Sequence, residues 1–126
     1  MKNDFTLKNL EVYKSARELS VLAWELYKNL ELDQKIIIGQ QFVKSVDSIG
    51  ANIAEGYGRY HYLDKIRFYY TARASLFEAI HWTELLNERE LLKDEIRNNF
   101  IAKAENLHAK LNGWIKFNLE KKKSIS

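Results

Sequence analysis

The chain has 126 residues, a formal net charge of +3, no Cys and no Pro. That length suits one domain able to bury about two-thirds of the surface its unfolded form exposes, with no disulfide or metal staple required. Zero Cys excludes a disulfide framework and thiolate chemistry and fits a reducing cytoplasm, and the near absence of helix breakers predicts long helices.

The first ten residues, MKNDFTLKNL, hold no apolar signal core, and no later run approaches the ~18 apolar residues of a membrane span, so a cytoplasmic protein is expected. Val12, Ala16, Leu19, Ala23, Leu26 and Leu30 then recur at alternating intervals of four and three, predicting a helix over about 10–30 capped by Asn9. A second helix is expected over about 34–56, with Asp33 as its N-cap, Phe42, Val46, Ile49 and Ile53 on its inner face, and Gly56 and Gly58 as its stop.

A third helix is predicted over about 62–88, with Tyr69, Ala72, Leu76, Ala79 and Leu86 inward and Phe77 and Ile80 widening the stripe. A turn near Arg89 to Leu92, without a Gly, separates it from a fourth helix over about 93–119, read from Ile96, Phe100, Ala104, Leu107, Leu111 and Trp114. Residues 120–126 read as a fraying basic tail. Val43, Ile66, Phe68 and Trp82 fall outside the inner stripes. Four long helices with short connections have one economical packing, so the expected fold is all-α, an antiparallel up-down-up-down four-helix bundle formed by residues 1–126 as one domain.

Beside the apolar stripe of the second helix runs a polar line: Gln41, Ser45, Ser48, Asn52, Glu55 and Arg59. Short Ser and Asn side chains there, together with Gly39 and Gly50, predict close approach of another helix and specific hydrogen bonds; a ligand groove is the sharper alternative.

The segment Ser48-Ile49-Gly50-Ala51-Asn52-Ile53-Ala54-Glu55-Gly56, followed about twenty residues later by Ser75-Leu76-Phe77-Glu78, resembles the four-helix-bundle family named for the 23S ribosomal-RNA intervening-sequence protein. The resemblance extends over nearly the whole chain. It implies a bacterial, left-handed bundle that assembles into a ring of five, some copies being encoded within insertions of ribosomal-RNA genes, with no established biochemical role. A related bundle is the accessory variability protein of diversity-generating retroelements, which works with a reverse transcriptase and nucleic acid. Within the family motif, Ser48, Asn52, Glu55, Gly56, Ser75 and Glu78 form a structural or interface seam. The chain departs from the family at Val43-Lys44, where paired Arg are common, and at Ala74, where Gly is common, and the first departure weakens an inherited nucleic-acid site.

Charge is unevenly placed. Residues 110–126 carry five Lys against one Glu, a net +4, leaving −1 for residues 1–109. In an up-down-up-down bundle Arg59, Lys65, Arg67 and Arg73 share one pole with Lys116, Lys121, Lys122 and Lys123, while Glu31, Asp33, Glu84, Glu88, Glu90, Asp94 and Glu95 gather at the other. Together with Lys44, these cations are the candidate nucleic-acid contacts. They are interleaved with Tyr57, Tyr60, His61, Tyr62, Phe68, Tyr69 and Tyr70, on which bases stack while Lys and Arg hold phosphates. Two functions follow: an oligomeric bundle associated with RNA or single-stranded DNA, or a protein–protein scaffold or adaptor without nucleic acid.

No catalytic constellation stands out, and no cofactor is expected. Glu78-x-x-His81 and Glu105-x-x-His108 suggest a di-metal carboxylate bundle. With the turn centred near residue 91, however, His108 sits roughly 10 Å along the axis from the position opposite His81, and Glu78 points away from the core. Gly56-x-Gly58 follows a helix and lacks the rest of a phosphate loop.

Overall fold

A computed structural model describes residues 6–125; the expected tail ends on Ser126, which lies outside the described residues, as do residues 1–5. A 3-10 turn at Leu7–Asn9 leads into the first helix, Glu11–Lys28. The second begins as a short turn, Leu32–Gln34, passes through a π-helical stretch, Lys35–Gly39, and continues as Gln40–Tyr57. The third spans Tyr62–Glu88 and the fourth Asp94–Ile125. Lys121, Lys122 and Lys123 therefore stand on a continuous helix, not on a frayed tail, because Leu, Glu and Lys are all strong helix formers.

The core follows the predicted stripes closely on the second helix, where Phe42, Val46, Ile49 and Ile53 are fully buried. Elsewhere it is shifted in places. Leu26, Ile96 and Trp114 are half-buried, and Ile115 and Asn118 complete the fourth stripe instead of Trp114. Ile66 and Thr83 join the third helix's core face, whereas Phe77 is exposed. Thr83 and Ser45 enter the interior because each hydroxyl donates to a carbonyl of its own helix, Ala79 and Phe42, at 2.7 Å.

Contacts between neighbouring helices set the arrangement. Gly39 lies against Tyr27 and Leu30, and Gly50 against Ala16. Ser48 bonds Ser75 at 2.8 Å, and Gly56 lies under Tyr69. Glu84 pairs with Arg97 at 3.2 Å, while Phe77 meets His108 with ring centroids 5.0 Å apart. Lys110 donates to Ser15 at 2.9 Å, closing the fourth helix onto the first. Across the first three of these joints the residue numbers climb on one helix as they fall on the other, so the helices that meet there run antiparallel.

Several helix ends differ from their sequence signals. Leu10, not Asn9, occupies the first N-cap position, since Asn9 belongs to the 3-10 turn. Glu31 precedes the second helix and its backbone N–H donates to the Gln34 side chain at 2.9 Å, which puts Asp33 inside the first turn. Gly56 does not stop the second helix, which runs to Tyr57, but Gly58 takes the C-cap position as expected, and neither glycine has positive φ.

The left-handed position falls instead on Glu90, at φ 60°. The Leu91 N–H donates to Leu86 O at 2.8 Å and the Glu90 N–H to Asn87 O at 2.9 Å, the paired bonds of a Schellman motif. Asn87 Nδ2 then reaches Leu92 O at 3.0 Å and Asp94 Oδ1 at 2.8 Å, tying the turn to the start of the fourth helix. A non-glycine residue in this conformation costs about 1 kcal/mol. Glu90→Gly is therefore expected to raise stability by about 0.5–1 kcal/mol in urea unfolding, with unchanged helicity.

Candidate functional site

The predicted polar line divides into a buried half and a solvated half. Ser48 Oγ shares a hydrogen bond with Ser75 Oγ, and Asn52 Nδ2 donates to Ser48 O at 2.8 Å and to Ser48 Oγ at 3.0 Å. Gln41, Glu55 and Arg59 are exposed, with Glu55 paired to Arg59 at 2.9 Å. Glu78 is exposed too, accepting from Trp82 Nε1 at 3.0 Å, so Glu55 and Glu78 stay outside the seam. The serine and asparagine groups satisfy one another between the second and third helices, whereas Glu55 and Arg59 of the solvated half line an open hollow of about 550 Å³ with Ala51, Ala54 and Gly58.

At the seam's end a Cβ on Gly56 would lie 2.7 Å from Tyr69 Cε1 and 3.0 Å from Lys65 O. Here glycine is required by proximity. Gly39 is similar, its Cβ falling 2.9 Å from Tyr27 Cδ1, but Gly50 has ordinary room, 3.6 Å to Ala16 Cβ. The expected tight contact at Gly50 is thus absent. Tyr69 is fully buried, and burial pushes its hydroxyl up to about 12. The Trp114 indole N–H lies toward that oxygen and opposes the shift, yet the pair misses hydrogen-bonding geometry, so both polar atoms are buried and unsatisfied.

Several candidate cations have internal partners. Lys65 Nζ donates to Tyr57 O at 2.8 Å, capping the carbonyl end of the second helix, where a cation also complements the helix dipole. Burial lowers its pKa. Arg59, besides pairing with Glu55, stacks 4.7 Å from the Phe68 ring centroid. Arg73 donates to Asn112 Oδ1 at 2.8 Å across the third and fourth helices, with its guanidinium 5.0 Å from the Tyr70 ring centroid. Asn112 in turn meets His108 Nε2 at 3.2 Å. With Asn112 Oδ1 taken by Arg73, its amide donates to Nε2, which places the His108 proton on Nδ1.

The remaining cations are exposed. Among the described residues, the charged groups of Arg67 and Lys116 meet no hydrogen-bond or ion-pair partner, and Lys121 lies 5.5 Å from the Phe117 ring centroid. Lys122 and Lys123 are exposed on the end of the fourth helix. Lys44 stands apart from all of these, lining a shallow hollow of about 260 Å³ with Trp24, Tyr27, Gln40 and Val43. Tyr60 projects from the bend between the second and third helices, 87% exposed.

The paired Glu-x-x-His motifs do not meet. Glu78 turns to Trp82, His81 is exposed, and His108 packs on Phe77. Among the described residues no three His, Asp or Glu side chains converge as metal ligands do. None of the helices there is long and apolar enough to cross a membrane.

A family model described as 23S rRNA-intervening sequence protein matches residues 8–113. The chain belongs to this family. A crystal structure from the S23 ribosomal protein family of Bacteroides thetaiotaomicron, itself described as a protein with unknown function, is similar at 29% identity and a TM-score of 0.80. The match covers 86% of this chain and 98% of that one. No curated protein matches the sequence. The family motif read from Asn52 through Gly56 and from Ser75 through Glu78 falls at the joint of the second and third helices, where it packs those two helices together.

Sequence reasoning assigned no role to Asn112, and although it placed Tyr69 on the inner face of the third helix it did not foresee the contact with Gly56. The available signal for Asn112 was its spacing of four from His108 on the helix; for Tyr69 it was the thirteen-residue interval from Gly56, interpretable only once the bend is known.

Two outcomes follow from this geometry. Gly56→Ala is expected to destabilise by about 2 kcal/mol through overpacking, while Gly50→Ala, which gains helix propensity without a clash, is neutral or stabilising by up to about 1 kcal/mol in urea unfolding. Tyr69 stays protonated in the fold to about 12, whereas the unfolded hydroxyl ionises near ~10. Its contribution is therefore intact below that lower value and is lost as pH rises through the upper one, by on the order of 2 kcal/mol. Tyr69→Phe, with no proton to lose, should show a correspondingly smaller alkaline loss when unfolding is followed by circular dichroism.

Proposed function

We propose that the protein is a non-enzymatic cytoplasmic scaffold that assembles with copies of itself. The observation carrying this reading is an exposed apolar surface on two firmly packed helices. Val21 and Trp24 on the first are 63% and 51% exposed, and Ile36 and Ile37 on the second are 60% and 68% exposed. Trp24 stacks on Tyr27, ring centroids 5.2 Å apart, and both line the hollow beside Val43 and Lys44. Apolar side chains scattered singly over a surface need no explanation, but grouped on rigid helices they mark an interaction face. The ring of five implied by the family resemblance is one closed way for a head-to-tail contact to use it.

A second reading, association with RNA or single-stranded DNA, is favoured by a different observation. Tyr60 stands almost wholly in solvent at the bend, and the exposed cations Arg67, Lys116 and Lys121 lie on the third and fourth helices. Aromatic rings beside uncompensated cations suit unpaired bases and their phosphates.

One experiment addresses both. Light scattering should give a mass of several chains for the wild type, and Trp24→Glu combined with Ile37→Glu should reduce it to one chain without loss of helicity. The same samples, titrated with RNA and single-stranded DNA, should bind in a way that weakens steeply with salt. A monomeric wild type would end the self-association reading and leave this face to a different protein, as an adaptor. No binding at low salt would end the nucleic-acid reading.

A further inference from the structure

The third and fourth helices face one another along two stretches that contain no Asp or Glu. Residues 65–77 carry Lys65, Arg67 and Arg73, and residues 106–119 carry His108, Lys110 and Lys116. In a chain with 17 acidic residues, these two adjoining stretches form a patch whose charged side chains are all basic, bounded by Asp64 and Glu120 at one end and by Glu78 and Glu105 at the other. Two of these cations have local duties, Lys65 on the second helix's last carbonyls and Lys110 on Ser15. Arg67 and Lys116 are exposed, and Arg73 is held in place by Asn112.

Aromatic rings alternate with these charges. Arg67, Tyr70, Arg73 and Phe77 fall within about 120° of the helix circumference, so they form one line along the third helix. Tyr70 is 41% exposed and Phe77 54%. Neither ring belongs to the core: the Arg73 guanidinium lies over one face of Tyr70 and leaves the other for stacking, and the Phe77 and His108 rings meet at 74° with centroids 5.0 Å apart. Exposed neighbours Thr71 and Ala74 are small, leaving the rings accessible. On the fourth helix His108, Asn112 and Lys116, spaced by four, form the opposing wall.

We infer that this face binds a single strand of nucleic acid, with bases stacking on Tyr70 and Phe77 and phosphates held by Arg67, Arg73 and Lys116. The inference rests on the nucleic-acid reading and moves its centre from the pole to the side of the bundle. Two rings seven residues apart are separated by about 10 Å along the helix, enough for two bases with phosphate between them. Rings lying on the convex side of a helix reach only bases that are already out of pair, so a duplex is excluded from the stacking contacts. An apolar protein partner is disfavoured because Arg67 and Lys116 would be buried without counter-charges.

The test uses the full chain, a labelled single-stranded oligouridine and a blunt RNA duplex of the same length, followed by fluorescence anisotropy over a salt series. The wild type should bind the single strand more tightly than the duplex. Tyr70→Ala and Phe77→Ala should each weaken single-strand binding about tenfold with an unchanged salt slope, and Tyr70→Phe should bind as the wild type. Arg67→Ala should reduce the slope by about 0.7. Should Phe77→Ala fail to fold, Phe77→Leu keeps the apolar contact with His108 and removes the ring face. Wild-type binding that survives both aromatic substitutions would overturn this site while leaving the broader reading in place; no wild-type binding at low salt would overturn both. A loss of binding accompanied by a fall in oligomer mass would identify the face as a subunit contact and also overturn the site.

Discussion

The bundle depends on how closely the second and third helices approach at their shared bend. Gly56 offers no Cβ, so the Tyr69 ring lies directly on the second helix's backbone, and Lys65 reaches across to that helix's last carbonyls. The same closeness lets two short hydroxyls, Ser48 and Ser75, bond without longer side chains between them. A larger residue at position 56 must push Tyr69 or the Lys65 carbonyl away, and the displacement would reach Trp114, whose ring packs on Tyr69 with centroids 5.9 Å apart. One missing methyl group thus sets the spacing of three helices, and a fully buried phenol with an unsatisfied hydroxyl is the cost of that spacing.

That constraint also sorts the charges. Cations near the bend serve the fold: Lys65 by capping, Arg59 by pairing with Glu55 and stacking on Phe68. Exposed ion pairs such as Glu55–Arg59 contribute little stability, about 0–1 kcal/mol, so the stacking and capping geometries define these residues' roles better than their charge does. Farther along the third helix Arg73 is held by Asn112, whereas Arg67 is exposed and its charge meets no partner among the described residues. Val21, Trp24, Ile36 and Ile37 are exposed on the first two helices, and Arg67 and Lys116 on the last two.

Much of this was readable from sequence because the inner residues repeat at a helical period and no Pro interrupts it. Phe42, Val46, Ile49 and Ile53 could hardly face anywhere but inward. The errors fell where two adjacent positions are both apolar, as with Trp114 and Ile115, since periodicity alone cannot choose between neighbours. Phe77 misled for a related reason: it is apolar and next to inward-facing Leu76, yet the buried line of the third helix runs through Leu76, Ala79, Thr83 and Leu86 and leaves Phe77 outside it. Capping failed because Asn9 and Asp33 have the right chemistry one or two residues away from the helix ends that formed. Lys65 and Arg73 read as candidate nucleic-acid contacts, because their internal partners lie 8 and 39 residues away and become neighbours only through the fold.

The π-helical stretch at Lys35–Gly39 was invisible to a period of 3.6, although three successive Ile followed by Gly was an odd run for an exposed helix. A π turn takes in one residue more than an α turn, so it works as a rotary offset in the chain. The capping turn at Leu32–Gln34 is swung by roughly 100°, one residue's worth, relative to the segment that carries Phe42 and Val46. Gain or loss of one residue here re-aims Ile36 and Ile37 around the bundle axis while the interior beyond Gly39 keeps its phase. Ile38 and Gly39 of the same stretch are buried, so this offset is what lets Ile36 and Ile37 face outward beside neighbours that pack inward.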